Sequence, residues 1–231
     1  MKYANIHTGK FISRPNRFIA KVEVGGEIQT VHVKNTGRCK ELLQPGNTVY
    51  LEKSDNPARK TAYDLVAVEK QIPGGTRMVN MDSMAPNKMA GEWLASGALG
   101  NIENLRAEVT IGDSRYDFVG EENGRQVVIE VKGCTLEENG IAKFPDAPTE
   151  RGVKHVRGLI ELAKSGCRCI VLIVIQMKGV SVFRPNWETH PEFGRALQEA
   201  QAAGVELIAV DCNIIPGEAK IDGRIPVDLI I

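Results

Sequence analysis

The sequence predicts a mixed α/β (α+β) chain in two unlike parts: a small all-β domain over residues 1–75, then a mixed sheet flanked by helices over residues 82–231. Three observations predict it. Short alternating apolar runs broken by Gly and Pro fill the N-terminal third. At Asp82 the hydrophobic spacing changes from two to between three and four. From Leu105 on, three strand patterns in succession are followed by helix, strand, helix and strand, the order of a sheet covered by helices.

In the first part, Phe18 to Val24 alternates, with Phe18, Ala20, Val22 and Val24 on one side, so Phe18 is expected in the core. Gly25-Gly26 then leads into Ile28 to Val33, which reads as a hairpin. Thr36 is placed to cap a short helix over Gly37 to Leu43, ended by Pro45-Gly46. Thr48 to Glu52 and Tyr63 to Val68 are further strands, separated by the basic turn segment Ser54 to Lys60. Four or five strands with one short helix fit a barrel of OB type. Gln71 to Asn80 reads as a linker.

In the second part, a helix is expected over Asp82 to Ser96, with strands at Leu105–Ile111, Arg115–Val119 and Gln126–Lys132. Gly133 to Thr149 reads as a long connection with no clear secondary structure, a feature that often signals function. A helix over Glu150 to Ser165, an apolar strand over Cys169 to Gln176, a helix over Pro191 to Ala203 and a strand over Val205 to Asp211 complete the pattern.

Bulk properties exclude several classes. Of 231 residues, 42% are hydrophobic, enough for a core and too many for a disordered chain. No apolar run reaches membrane-spanning length, and MKYANIHTGK lacks the apolar stretch of a signal peptide, so a cytoplasmic protein without membrane association is expected. The five cysteines include no C-x-x-C pair, which argues for reduced thiols and against structural zinc. Net charge is zero, yet residues 1–70 hold 12 Lys/Arg against 7 Asp/Glu and the remainder 17 against 22. A basic first part suits phosphate attraction, and an acidic second part suits metal chelation.

The chemistry-bearing cluster is central. In SRYDFVG a strand would put Arg115, Asp117 and Val119 on one face and Tyr116 and Phe118 on the other. In QVVIEVKG, Glu130 and Lys132 share a face opposite Val127, Ile129 and Val131. Asn123-Gly124 between them is a hairpin signal that brings Asp117 beside Glu130. Two neighbouring carboxylates repel unless a cation lies between them. Mg²⁺, or Mn²⁺, takes such oxygen ligands, and Lys132 would face the same point. Such a pattern also occurs on solvated sheet faces, where it forms weak surface pairs.

An aspartate followed by Glu-x-Lys after a helix resembles the PD-(D/E)-x-K nuclease superfamily. That resemblance implies an acidic residue from the preceding helix, for which Glu92 is the candidate; an ordinary surface glutamate is the competing account. A narrower resemblance runs through FISRPNRFIAKV (11–22), VHVKNTGRCKELLQPG (31–46), SDNPARKT (54–61), SRYDF (114–118), KGCTLEENGIAKFPDAPTERGVKH (132–155) and VFRPNWETHPEFG (182–194). These motifs resemble the sugar fermentation stimulation protein A family, with a departure at Arg38-Cys39. The resemblance implies an N-terminal OB-fold domain, a C-terminal PD-(D/E)-x-K nuclease-like domain, and DNA binding tied to regulation of sugar metabolism. It maps the nuclease triad onto Asp117, Glu130 and Lys132, and a signature at a helix start onto Thr149 to His155.

Within that segment Thr149 is a reasonable N-cap, and Arg151 with the free N–H groups of the first turn would attract phosphate. Lys154 either joins that phosphate site or pairs with Glu150, and His155 is either a core-edge residue or a proton carrier. Gln176 is a strand-end polar residue that could line the site. In the first domain Arg14, Arg17, Lys34 and Arg38 are the candidates for contact with a nucleic-acid backbone. Three functions compete: a Mg²⁺-dependent nuclease acting on DNA or RNA, a non-catalytic DNA-binding transcriptional regulator on a nuclease-derived fold, and an oligosaccharide-binding module. The last ranks lowest because Trp93 and Trp187 lie outside the barrel. The pattern leaves self-association into a homo-oligomer open.

Overall fold

The computed structural model describes residues 1–231. Six strands form the first sheet: β1 (Ile6–Asn16), β2 (Ile19–Val24), β3 (Glu27–Val33), β4 (Thr48–Lys53), β5 (Tyr63–Ile72) and β6 (Gly75–Asn80). Their order is β3-β2-β1-β4-β5-β6, and parallel pairing of His32 with Asp64 and Val33 with Leu65 closes the strip into a barrel. The turn at Gly25-Gly26 holds φ values of +60° and +86°, as a two-residue hairpin with twisted strands requires.

Three expectations for this domain are corrected. The helix over Gly37 to Leu43 is absent, because Arg14 takes the carbonyls of Asn35, Gly37 and Arg38 that a helix would use as acceptors. Gln71 to Asn80 is no linker: β5 runs to Ile72, Pro73-Gly74 makes a turn, and β6 pairs back from Gly75. Phe18 is not in the core but 47% exposed, since it lies in the turn between β1 and β2 where strand alternation has lapsed.

The second domain contains α1 (Ala85–Ala95), β7 (Glu103–Ile111), β8 (Ser114–Glu122), β9 (Arg125–Cys134), β10 (Leu136–Glu138), β11 (Ile141–Phe144), α2 (Glu150–Lys164), β12 (Arg168–Ile175), β13 (Val182–Pro185), α3 (Pro191–Ala202), β14 (Glu206–Ile215) and β15 (Glu218–Ile225). The main sheet has the order β15-β14-β12-β9-β8-β7. Its centre, β9-β12-β14, is parallel, and the flanking pairs are antiparallel. Every residue from Cys169 to Ile175 is buried, as a central parallel strand covered on both faces demands. Met89, Ala90 and Leu94 of α1 pack with Ile129, Val131 and Leu172 on one face. Val156 and Leu159 of α2 and Phe193 and Leu197 of α3 cover the other.

The connection after Gly133 is more ordered than expected. It holds the β10–β11 hairpin, and β11 pairs in parallel with β13 to make a three-stranded sheet. Strands of three or four residues are too short to show a hydrophobic period. The strand β15, paired to β14 through the Pro216-Gly217 turn, was likewise not expected.

Polar contacts fasten the two domains together. Asp82, with no exposed surface, lies 2.9 Å from Lys34 Nζ. Gln176 Nε2 donates to the Asn80 carbonyl and side chain and to the Asp82 carbonyl. Buried Glu137 faces Lys70 Nζ at 2.7 Å and Arg77 Nη1 at 2.9 Å.

Candidate active site

The site begins in the β8–β9 hairpin. Its turn residues, Asn123 and Gly124, have φ of +51° and +75°, so the hairpin signal in the sequence is realised. The ladder runs from Glu122↔Arg125 to Phe118↔Ile129 and stops. The next position is bridged by a side chain: the Val131 N–H donates to Asp117 Oδ2 at 2.7 Å. Face alternation fails here. Phe118 packs against α1 beside Gly91, whereas Tyr116 meets the His155 ring of α2 at 5.9 Å between centroids. Simple alternation would have put the two rings on one face.

The cleft beside this break has a volume of about 230 Å³ and is walled by Asp117, Glu130, Lys132, Arg115, Arg151 and His155, with Glu108, Tyr116, Val131, Thr149 and Gly152. Glu130 is only 3% exposed. Its Oε1 faces His155 Nδ1 at 2.6 Å and Lys132 Nζ at 2.5 Å. Its Oε2 is buried with no hydrogen-bond partner. Asp117 Oδ1 accepts from Asn87 Nδ2 at 2.7 Å. Burial, followed by the Glu130 charge, pushes the Asp117 carboxyl above its ordinary value, against the Val131 N–H, Asn87 and Lys132, which favour ionisation. A buried orphan oxygen is costly, and so are two repelling carboxylates. A hard cation that keeps most of its waters would relieve both through these two carboxylates alone, since no group of three or more His, Cys, Asp or Glu side chains is arranged to hold a metal.

The opposite wall is the start of α2. Thr149 caps it, its Oγ1 accepting from the Gly152 N–H at 3.1 Å. A Cβ at residue 152 would approach Thr149 Oγ1 to 2.8 Å, which explains the glycine. Arg151 is exposed beside the cleft, and the positive end of the helix adds to its pull on an anion.

The structure therefore brings Asp117, Glu130, Lys132, Arg151 and His155 together. It does not bring in Glu92, which is exposed on α1 and binds the Met1 ammonium at 2.7 Å. The residue that α1 supplies is Asn87, in its first turn. No periodicity marked it, because its partner lies 30 positions away. Lys154 lies outside the cleft, is exposed and donates to the Asp113 carbonyl at 3.2 Å. Lys34 and Gln176 belong to the domain junction. Arg14, Arg17 and Arg38 line a separate cavity on the barrel.

Comparison with known proteins agrees with this architecture. Residues 12–81 match the family model described as SfsA N-terminal OB domain, and residues 84–218 match the Sugar fermentation stimulation protein RE domain. A sugar fermentation stimulation protein homolog of Clostridium beijerinckii is 53% identical over 232 residues, covering 100% of each chain. One from Desulfitobacterium hafniense is 48% identical over 230 residues, 100% of this chain and 99% of the other. The structure of Pyrococcus furiosus SfsA in complex with Ca²⁺ superimposes with a TM-score of 0.85 at 28% identity, covering 99% of this chain and 98% of that one.

Proposed function

From the premise that the chain belongs to the sugar fermentation stimulation protein family, we propose that it binds nucleic acid and hydrolyses phosphodiester bonds with Mg²⁺ or Mn²⁺ held by Asp117 and Glu130. The observation that carries this reading is the pairing of a buried, unpartnered Glu130 Oε2 with an Asp117 whose ionisation is resisted by the same neighbourhood. The Ca²⁺ of the Pyrococcus relative supports it, since Ca²⁺ and Mg²⁺ both seek oxygen donors.

Held by Asp117 and Glu130, a divalent metal would supply Lewis acidity toward a phosphoryl oxygen and a water of lowered pKa. The protein's own groups do the rest. His155 and Lys132 orient Glu130 through Oε1 and leave Oε2 free. Asn87 and the Val131 N–H fix Asp117. Lys132, at the cleft wall, offsets charge that builds on the phosphoryl oxygens. Arg151 and the first turn of α2 draw the substrate phosphate toward the carboxylates.

The test is cleavage of labelled DNA and RNA by purified protein with Mg²⁺ or Mn²⁺. Asp117→Asn and Lys132→Ala are expected to abolish cleavage and to leave binding intact. Cleavage that survives the double variant would overturn the reading. Binding without cleavage in either metal would favour a non-catalytic DNA-binding regulator instead.

A further inference from the structure

A second cluster of positive charge lies on the barrel, apart from the cleft. Between the β1–β2 turn and the segment 35–40 is a cavity of about 290 Å³. Arg14, Arg17, Arg38 and Lys40 line it, and no acidic residue does. None of the four makes an ion pair.

Arg14 is the organiser. Its guanidinium donates to four main-chain carbonyls, those of Arg17, Asn35, Gly37 and Arg38, and its Nε is buried without a partner. Carbonyl dipoles satisfy hydrogen bonds but do not cancel a full charge, and the one carboxylate against this wall, Asp146 beside Gly37, faces four basic side chains, so the balance in the cavity is positive. The clamp also holds Cys39 at φ +44°, a conformation that non-glycine residues rarely take. Arg17, Arg38 and Lys40 are exposed around it. Next to the lining residue Arg17, Phe18 is 47% exposed with the Arg17 guanidinium over its ring, 4.8 Å from the centroid. An exposed ring beside a predominantly basic cavity offers one nucleotide both a phosphate site and a stacking platform.

We propose that this cavity and Phe18 form a subsite for unpaired nucleic acid: Arg17, Arg38 and Lys40 take a backbone phosphate and Phe18 stacks the adjoining base. A base in a closed duplex has its faces covered by neighbours, so only a single strand, an overhang or a frayed end can use the platform. This deepens the nucleic-acid reading above by naming the substrate class.

The experiment measures binding of fluorescent single-stranded DNA, single-stranded RNA and a blunt hairpin duplex by anisotropy, in EDTA and across a salt series. Phe18→Ala is expected to weaken single-strand binding roughly 10-fold or more. It should leave the blunt duplex unchanged, and Phe18→Leu should behave like Phe18→Ala. The Arg38→Ala/Lys40→Ala variant should flatten the salt dependence for single strands by about 0.7, the value for one lost phosphate contact. Equal losses on duplex and single strand in Phe18→Ala, or an unchanged salt slope in the double variant, would overturn the proposal. A protein that binds in this way yet cuts nothing would overturn the nuclease reading alone, because these assays contain no divalent metal.

Discussion

At the scale of single residues, the site is under electrostatic tension. Ionised Asp117 is opposed by burial and by Glu130, so its raised carboxyl value makes its charge a cost to the folded state above the ordinary carboxylate range. Asp117→Asn removes that cost while keeping shape. Its carbonyl can still accept from the Val131 N–H, and Asn87 can turn its own carbonyl toward the new amide. The variant is expected to melt at a temperature equal to or above wild type in EDTA, and to lose the rise in Tm that Mg²⁺ gives the wild type. A variant that melts well below wild type in EDTA would contradict this account. His155 acts one step further out, through Glu130. His155→Leu should weaken Mn²⁺ affinity by about 10- to 100-fold in calorimetry, the usual cost of losing a partner that orients a ligand. Unchanged affinity would assign the histidine to packing alone.

At the scale of elements, the β10–β11 hairpin is pinned to the barrel by Glu137. Burial acts to raise the Glu137 carboxyl, but hydrogen bonds from Lys70 and the Gly140 N–H, with the Lys70 and Arg77 charges, outweigh it and hold it below the ordinary value. A lowered carboxyl contributes stability above its unfolded value, about 4.3, and loses it as pH falls through the folded value. Glu137→Gln should therefore cost about 1–3 kcal/mol at pH 7, where Lys70 and Arg77 lose their counter-charge and keep only the Glu137 and Gly179 carbonyls, and progressively less in acid. Melting curves of both proteins from pH 7 down to pH 3 check it; a constant gap would refute the linkage. Legibility at this scale followed the length of the signal. The β8–β9 hairpin was plain from alternation and Asn-Gly, and it carried Asp117, Glu130 and Lys132 with it. The segments β10, β11 and β13 were hidden because their partners are non-local and their strands short. Asn87 and Phe18 were missed or misplaced for related reasons. One is defined by a contact across 30 positions, and the other by a turn that interrupts a tidy alternation.

At the scale of the whole molecule, the two domains were legible as separate patterns but not as one body. A single apolar cluster of 36 buried residues includes Val22, Leu51 and Leu65 of the barrel as well as Leu159 of α2 and Phe193 of α3. The polar staple of Asn80, Asp82 and Gln176 closes over its edge, with each of these residues at most 2% exposed. Domains that share a core cannot expose it separately without a large loss of burial. The intact chain is expected to unfold in one calorimetric transition, with calorimetric and van't Hoff enthalpies in agreement. Gln176→Leu keeps the size of the side chain but removes the donor to Asn80 and Asp82; Asn80 Oδ1 keeps the Asp82 N–H and the Asp82 carbonyl keeps the Ala85 N–H, so the cost is about 1 kcal/mol. Since the shared cluster is untouched, the transition should move to lower temperature and remain single. Two resolved transitions in the wild type would show that the barrel and the second domain fold independently despite the core they share.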